Sequence, residues 1–199
     1  MEVYLKQWMS DYRYTHTQSV RRMCKVLGEG HGANIEILDQ AALLHDCIKE
    51  KVPADFVNLG IELTSEDQDI WNVYPAIWHA ALAGKWIRHH FEELDERVDG
   101  IVSAHTTGRA AMSLEEQVLF VADAVEEGRT YSYRDMLAKW ALDRLDLVTA
   151  ILASKLILRL VEKGQTIHPD TVLCYNHYRL LCENHWLLPE VRQIFEASD

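Results

Sequence analysis

The chain has 199 residues, 48% hydrophobic and 26% charged, with a formal net charge of −11. That length and balance fit one soluble globular domain able to bury its own core. The acidic excess and the lack of a basic stripe exclude electrostatic binding to DNA or RNA, and no apolar run approaches the ~20 residues that span a bilayer.

The start of the chain leads directly into a polar-apolar helical pattern, with no basic segment and apolar core behind it, so a signal peptide is not expected and the location is expected to be cytoplasmic. Val20, Met23, Cys24 and Leu27 form an apolar stripe that His16 joins one turn earlier, and Gly28 or Gly30 is expected to end that helix. A second, buried helix is predicted from about Ile35 to Ile48, followed by a short one from Pro53 to Gly60. Pro75 is expected to start the helix that carries Ile77, Trp78 and His79. Val98, Ile101, Val102 and His105 recur at helical spacing, and Thr106-Thr107-Gly108 breaks that helix. Ser113 and Glu116 form a capping-box pair for a helix through Val125 that holds Asp123. Asp146 is expected to cap a long apolar helix ending at Gly164, His168-Pro169 opens another, and Pro189 a last one. With no alternating strand run, no repeat and no low-complexity segment, the fold class is all-α. Cys24, Cys47, Cys174 and Cys182 form neither a CxxC pair nor a zinc-finger spacing and read as buried reduced thiols.

Six metal-seeking side chains fall on these helices: His16, the pair His45-Asp46, His79, His105 and Asp123. Any single histidine on an apolar face is more often a satisfied core residue than a ligand. The coincidence carries more weight, because polar groups on several core-facing stripes must meet inside, and a shared metal satisfies all of them. Imidazole with carboxylate suits zinc, iron or manganese better than calcium. No Glu-x-x-His occurs, against a ferritin-like di-iron bundle, and no His-Glu-x-x-His, against a zincin protease. His31, His89, His90, His177 and His185 sit near helix ends or polar runs and read as exposed.

The order His16, His45-Asp46, Asp123 resembles the H…HD…D signature of the HD-domain metal-dependent phosphohydrolases. The closer resemblance is to the YqeK-type symmetrical diadenosine tetraphosphate hydrolases. It is carried by Ala42-Leu43-Leu44-His45-Asp46-Cys47-Ile48-Lys49, Ser103-Ala104-His105-Thr106-Thr107-Gly108, Ala122-Asp123-Ala124-Val125-Glu126-Glu127-Gly128-Arg129 and Ile167-His168-Pro169-Asp170-Thr171. The resemblance implies an HD-domain helical bundle forming a single domain over 1–199, with a core of about 12–185 and a short C-terminal helical extension over 186–199. It implies a divalent transition metal, often iron, as one or two ions, with manganese, cobalt or zinc as alternatives. His16, His45, Asp46 and Asp123 are the implied ligands, and His79 and His105 either hold a second metal or contact the nucleotide. The implied nucleotide and phosphate contacts are His79, His105, Thr106, Arg129 and the segment Thr166, Ile167, His168, Pro169, Asp170 and Thr171. The implied reaction is metal-dependent hydrolysis of P1,P4-bis(5'-adenosyl) tetraphosphate to two ADP, with a small dinucleotide as substrate, an ADP- or GDP-type product, no nucleic acid or membrane partner, and a homodimer as a possible assembly. Two departures bear on substrate preference: Ala80 follows His79 where the family often has glycine, and Glu127 follows Glu126 where it often has proline.

Residue chemistry adds catalytic roles. Asp46 adjoins a ligand histidine and can orient the nucleophile or bridge metals. Lys49, one turn after Asp46, either places its ammonium on a phosphate or is a solvated surface lysine. Arg129 offers a planar fork for phosphate, or a salt bridge to Glu126 or Glu127. His168-Pro169 at a helix start is either an anion cradle or a plain N-cap. Trp78, Tyr131 and Tyr133 are aromatic candidates for stacking on adenine, although helical aromatics are usually core. The rival readings are an HD nucleotidase or other nucleotide phosphohydrolase, and a non-catalytic metal- and nucleotide-binding sensor. All six candidate ligand positions carry ligand-capable side chains, which speaks against the sensor.

Overall fold

Periodicity and capping chemistry account for most of the architecture seen in a computed structural model that describes residues 2–186 and 188–196. Among these residues there are thirteen helices and no strand. They are α1 (Glu2–Trp8), α2 (Asp11–His31), α3 (Ile35–Leu44), α4 (Pro53–Asn58), α5 (Ser65–Val73), α6 (Trp78–His90), α7 (Arg97–Ala104), α8 (Leu114–Val125), α9 (Arg134–Trp140), α10 (Leu145–Glu162), α11 (Pro169–Leu181), α12 (Glu183–Trp186) and α13 (Pro189–Glu196). The all-α expectation holds. Residues 1, 187 and 197–199 of the expected single-domain span lie outside the described residues.

Several helix ends differ from the expected ones for local reasons. α2 runs through Gly28 and Gly30 to His31 and stops at Gly32, whose left-handed backbone (φ 79°) lets its N–H reach the Gly28 carbonyl. Inside the helix, Gly28 makes room instead: a Cβ there would lie 2.7 Å from a Leu38 methyl, so the glycine lets α3 approach α2 closely. α3 ends at Leu44, not Ile48. The chain then tightens into successive i→i+3 turns, Cys47 N–H to Leu44 O, Lys49 N–H to Asp46 O and Lys51 N–H to Ile48 O. α6 begins at Trp78, after Pro75 and a turn in which Ile77 N–H donates to Tyr74 O. α10 begins at Leu145, and Asp146 accepts from the Gln117 side chain at 2.8 Å from within the first turn instead of capping it. The Ser113–Glu116 capping box of α8 forms as expected, and Glu116 also pairs with Arg109.

α2 packs against α3 and α8, α3 against α7, α6 against α7, and α10 against α8 and α11. The stripe residues Val20, Cys24, Leu27, Ile101, Val102, Val118, Val121 and Ile151 interlock in one core. All four cysteines are free and buried. α13 closes onto the body through buried Val191 and Ile194. No described helix is long and apolar enough to cross a membrane. Of the histidines read as exposed, His31, His90 and His177 are half-buried: His31 Nε2 lies 2.7 Å from the Ala141 carbonyl and His90 stacks on Trp86.

Candidate metal and phosphate site

Five chain segments deliver polar groups to one point. α2 brings His16, the turn after α3 brings His45, Asp46 and Lys49, the first turn of α6 brings His79, the end of α7 brings His105, and the last turn of α8 brings Asp123. His45 keeps helical backbone angles (φ −55°, ψ −38°) at the end of α3, and Asp46 and Lys49 follow in the tightened turns beyond it.

The distances confirm the convergence. His16 Nε2 is 3.0 Å from Asp123 Oδ1, and Asp46 Oδ1 is 3.2 Å from His79 Nε2 and 3.5 Å from His105 Nε2. Asp46 Oδ2 stands 3.8 Å from His45 Nε2 and 3.9 Å from His16 Nε2. Two ligand triads result, His16–His45–Asp123 and His45–Asp46–His105, with His45 common to both. His45, Asp46, His79 and His105 are buried, and Asp123 is half-buried.

The outward-facing imidazole nitrogens define which atom faces the centre. His45 Nδ1 lies 2.7 Å from the Ala42 carbonyl and His105 Nδ1 2.6 Å from the Val102 carbonyl. A carbonyl only accepts, so each Nδ1 donates and each Nε2 turns a lone pair inward. That pattern is the usual support for a metal-ligating histidine. The buried His16 Nε2, His45 Nε2 and Asp46 Oδ1 make no well-formed hydrogen bond among the described residues. Two inward imidazole nitrogens and a buried carboxylate oxygen without a well-formed hydrogen bond are a set that a divalent cation satisfies. The residues therefore fit a metal.

The electrostatics agree. Burial drives the His45 pKa down to about 4 and the His79 pKa to about 3, keeping both imidazoles neutral, as ligands must be. His16 is shifted upward: burial lowers it, but the Asp123 carboxylate, 3.0 Å from its Nε2, outweighs burial. Burial alone would raise Asp46 and Asp123. The surrounding His45, His105, His79 and Lys49 hold Asp46 well below the usual carboxylate range, and His16 and Arg129 do the same for Asp123.

Three cations rim the cluster. Lys49 Nζ donates to His79 Nε2 at 2.7 Å, which turns its ammonium towards the cluster. Arg129 Nη2 donates to Asp123 Oδ1 at 2.5 Å, and its Nε to the Asp123 carbonyl at 2.9 Å. Arg129 thus pairs chiefly with the candidate ligand, and Glu127 pairs instead with Arg22. Arg13, which the sequence reasoning missed, donates to Asp46 Oδ2 at 2.6 Å. Its spacing one turn before His16 on the same helix face is the signal that could have found it. Glu126 was also missed as a site residue; it is buried, with Oε1 3.2 Å from His16 Nδ1.

The remaining candidates lie on neighbouring structure. Thr106 follows His105, and its buried Oγ1 has no partner among the described residues. His168 caps α11, its Nδ1 accepting from Asp170 N–H at 3.2 Å, while its ring meets Tyr74 at 5.0 Å. Thr166 and Pro169 are exposed, Ile167 and Asp170 half-buried, and Thr171 buried. α11 reaches the His105–Gly108 turn through Cys174, which packs on Gly108. Trp78 and Tyr133 are buried in the core and offer no free face to a base, and the Tyr131 hydroxyl is engaged with the Ala124 carbonyl.

The HD domain family model matches residues 13–128, the segment that spans Arg13 through the end of the Glu126–Gly128 turn. Two curated relatives are named symmetrical bis(5'-nucleosyl)-tetraphosphatase. One, from Bacillus subtilis, is 30% identical over 86% of this chain and 92% of its own length. The other, from Halalkalibacterium halodurans, is 32% identical over 88% and 94%. A crystal structure of a predicted HD superfamily hydrolase involved in NAD metabolism, from Clostridium acetobutylicum, superposes with a TM-score of 0.75 at 27% identity, over 89% of this chain and 94% of that one.

Proposed function

We propose that this chain, which belongs to the HD-domain family and within it to the symmetrical bis(5'-nucleosyl)-tetraphosphatases, hydrolyses P1,P4-bis(5'-adenosyl) tetraphosphate to two ADP. The observation that carries the reading is the convergence of His16, His45, Asp46, His105 and Asp123, with His16 Nε2, His45 Nε2 and Asp46 Oδ1 buried and without a well-formed hydrogen bond among the described residues, beside Lys49 and Arg129. His16, His45, Asp46 and Asp123 are the proposed ligands, and His79 and His105 either complete a second seat or contact phosphate. Iron is the proposed metal. The chain reads as a single domain over 1–199, with a core of about 12–185 and an extension over 186–199.

A divalent cation at the site supplies a Lewis acid that lowers a water's pKa from about 15.7 towards ~7 and polarises a phosphoryl oxygen. The protein's own contribution is orientation and charge. Asp46 Oδ1 points into the cluster and can accept a hydrogen bond from the attacking water. The Lys49 ammonium and the Arg129 fork offset the charge that builds on the phosphoryl oxygens, Arg129 by paired contacts and Lys49 as a point charge. Attack on a phosphorus flanking the central bridging oxygen breaks the P–O bond, and both halves leave as ADP. The guanosine counterpart would give GDP. Thr106 and the segment from Thr166 to Thr171 are the proposed nucleotide contacts, since α11 packs on the turn that follows His105.

The test is product analysis. Metal-loaded protein incubated with diadenosine tetraphosphate is expected to give ADP alone by anion-exchange chromatography. ATP plus AMP would reject symmetrical cleavage. A panel with deoxynucleoside triphosphates and NAD separates the rivals: activity confined to the former would favour an HD nucleotidase, and NAD belongs in the panel because a solved relative is tied to its metabolism. ADP binding with no turnover on any substrate would favour the sensor.

A further inference from the structure

The residue that ties the metal cluster to the phosphate-binding rim is neither a proposed ligand nor a substrate contact. Glu126 ends α8 and leaves the helical path, with φ −59° and ψ 159°, which swings its side chain back beneath the site. The side chain is buried. Its Oε1 lies 3.2 Å from His16 Nδ1, and its Oε2 accepts from Gly128 N–H at 2.5 Å. Arg129 Nε is 3.5 Å from Oε1, and the Glu126 carbonyl accepts from Arg129 N–H and from Arg134 Nε. Gly128 stands directly over the carboxylate: a Cβ there would lie 3.0 Å from Oε2 and 3.1 Å from Oε1.

We infer that Glu126 is a positioning residue whose carboxylate fixes His16 in the tautomer that presents Nε2 to the metal and, through its second oxygen, holds the turn that carries Arg129. A carboxylate has two acceptor oxygens and no donor, so it can receive the His16 Nδ1 proton and the Gly128 amide together. His45 and His105 have their Nδ1 protons fixed by backbone carbonyls of their own helices. His16 lies inside α2, where the carbonyls are committed to the helix, and needs a side chain from elsewhere to do the same. Glu126 supplies it from α8, three residues after Asp123. The inference rests on the reading of His16 as a metal ligand.

Glu126→Gln separates positioning from simple turn closure, because it keeps the shape. A glutamine has one acceptor oxygen. If that oxygen serves the Gly128 amide, the amide NH2 faces His16 Nδ1 and drives the proton to Nε2, closing the lone pair that the metal needs. If it serves His16, the turn beneath Arg129 loses its bond. Competition against a chelator is expected to show a Co²⁺ Kd raised by about 10- to 100-fold in the variant, the range for losing a histidine's outer partner. Glu126→Asp keeps both oxygens on a shorter arm and is expected to fall between the two. Circular dichroism checks that each variant is folded, and neither measurement uses a nucleotide. A Co²⁺ Kd within about twofold of wild type in Glu126→Gln, or a loss in Glu126→Asp as large as that in Glu126→Gln, overturns the inference. Failure of the wild type itself to bind Co²⁺ would instead remove His16 from the ligand set.

Discussion

Lys49 Nζ and His79 Nε2 lie 2.7 Å apart, so a lysine one turn beyond Asp46 is folded over the buried cluster. Burial lowers the Lys49 pKa from its ordinary value, although Asp46 and Asp123 pull it back up. An ammonium so placed is worth more to a developing phosphoryl charge than one in water. Lys49→Met keeps the packing of the stem and removes the charge. Turnover is expected to fall by roughly 10²-fold, with metal content at the wild-type level. Steady-state kinetics and elemental analysis on the same preparation check both; near-normal kcat would return Lys49 to the status of a surface lysine.

Metal affinity should depend on pH in a way set chiefly by His16. His45 and His79, with pKa values of about 4 and about 3, are neutral across the physiological range and need no deprotonation to bind. His16, shifted above 6.5, still carries a proton that the metal must displace. Below that raised value the apparent affinity is expected to drop by about tenfold per pH unit. The expectation is for the wild type, by chelator competition between pH 8 and 5. A flat profile would contradict it. Asp46→Ala or Asp123→Ala is expected to abolish tight binding at every pH.

The metal-free chain should follow a different pH course. His45 and His79 have folded pKa values depressed below the unfolded 6.5, so the unfolded state takes up protons first as pH falls. Stability is therefore full above about 6.5 and is lost as pH falls towards 4 and then 3. The raised His16 value works the other way, adding stability below 6.5 that disappears as pH rises through its folded pKa. Two depressed groups against one raised group predict a thermal midpoint that falls from pH 7 to pH 4. A midpoint constant or rising over that interval would be inconsistent with the buried neutral pair.

What the sequence revealed depended on whether a local rule governed the feature. The capping box at Ser113 and Glu116 is a three-residue rule and fixed the start of α8, hence the placement of Asp123 one turn from its end. His16, His45, His79 and His105 were legible because each interrupts an apolar stripe, and burial of an imidazole demands a partner. Gly28 misled, because its reason is contact with Leu38 on another helix, which no local pattern contains. α5 and α9 carry few buried residues, so their periodicity was weak. Glu126 was beyond reach for a similar reason: beside Glu127 it reads as half of an exposed acidic pair, and only the extended ψ at the end of α8 turns one inward while the other meets Arg22.

Arg129 should separate ligand binding from metal binding. Its guanidinium holds Asp123 Oδ1 at 2.5 Å, the atom that also faces His16, and its side chain is 37% exposed. It can therefore contact a phosphate without entering the ligand set. Arg129→Ala is expected to leave metal stoichiometry intact while weakening ADP binding and lowering kcat/KM by ~10²-fold. Arg129→Lys should restore only part, because a point charge replaces a fork. Calorimetric titration with ADP, with metal analysis alongside, reads both. Loss of metal in Arg129→Ala would mean that the Asp123 carboxylate depends on the guanidinium for its position.

Gly108 tests whether the turn after His105 has to be built as it is. Its φ of 61° lies in the left-handed region, and a Cβ would stand 2.5 Å from Cys174 Sγ and 3.2 Å from Cys174 Cβ. Gly108→Ala meets both costs at once, backbone strain and a clash with the buried face of α11. Retreat of α11 is resisted because its other buried contacts include Thr171 and Tyr178, whose hydroxyl receives the Met112 N–H at 3.0 Å. Together these are expected to destabilise the fold by roughly 2 kcal/mol or more, read as a lowered urea midpoint with an unchanged slope. Cys174→Ala relieves the clash but not the strain, so Gly108→Ala combined with Cys174→Ala should recover part of the loss relative to the sum of the two single variants. Strict additivity in that cycle would show that the glycine is required by its backbone angle alone, with no close approach of α11 to the His105–Gly108 turn.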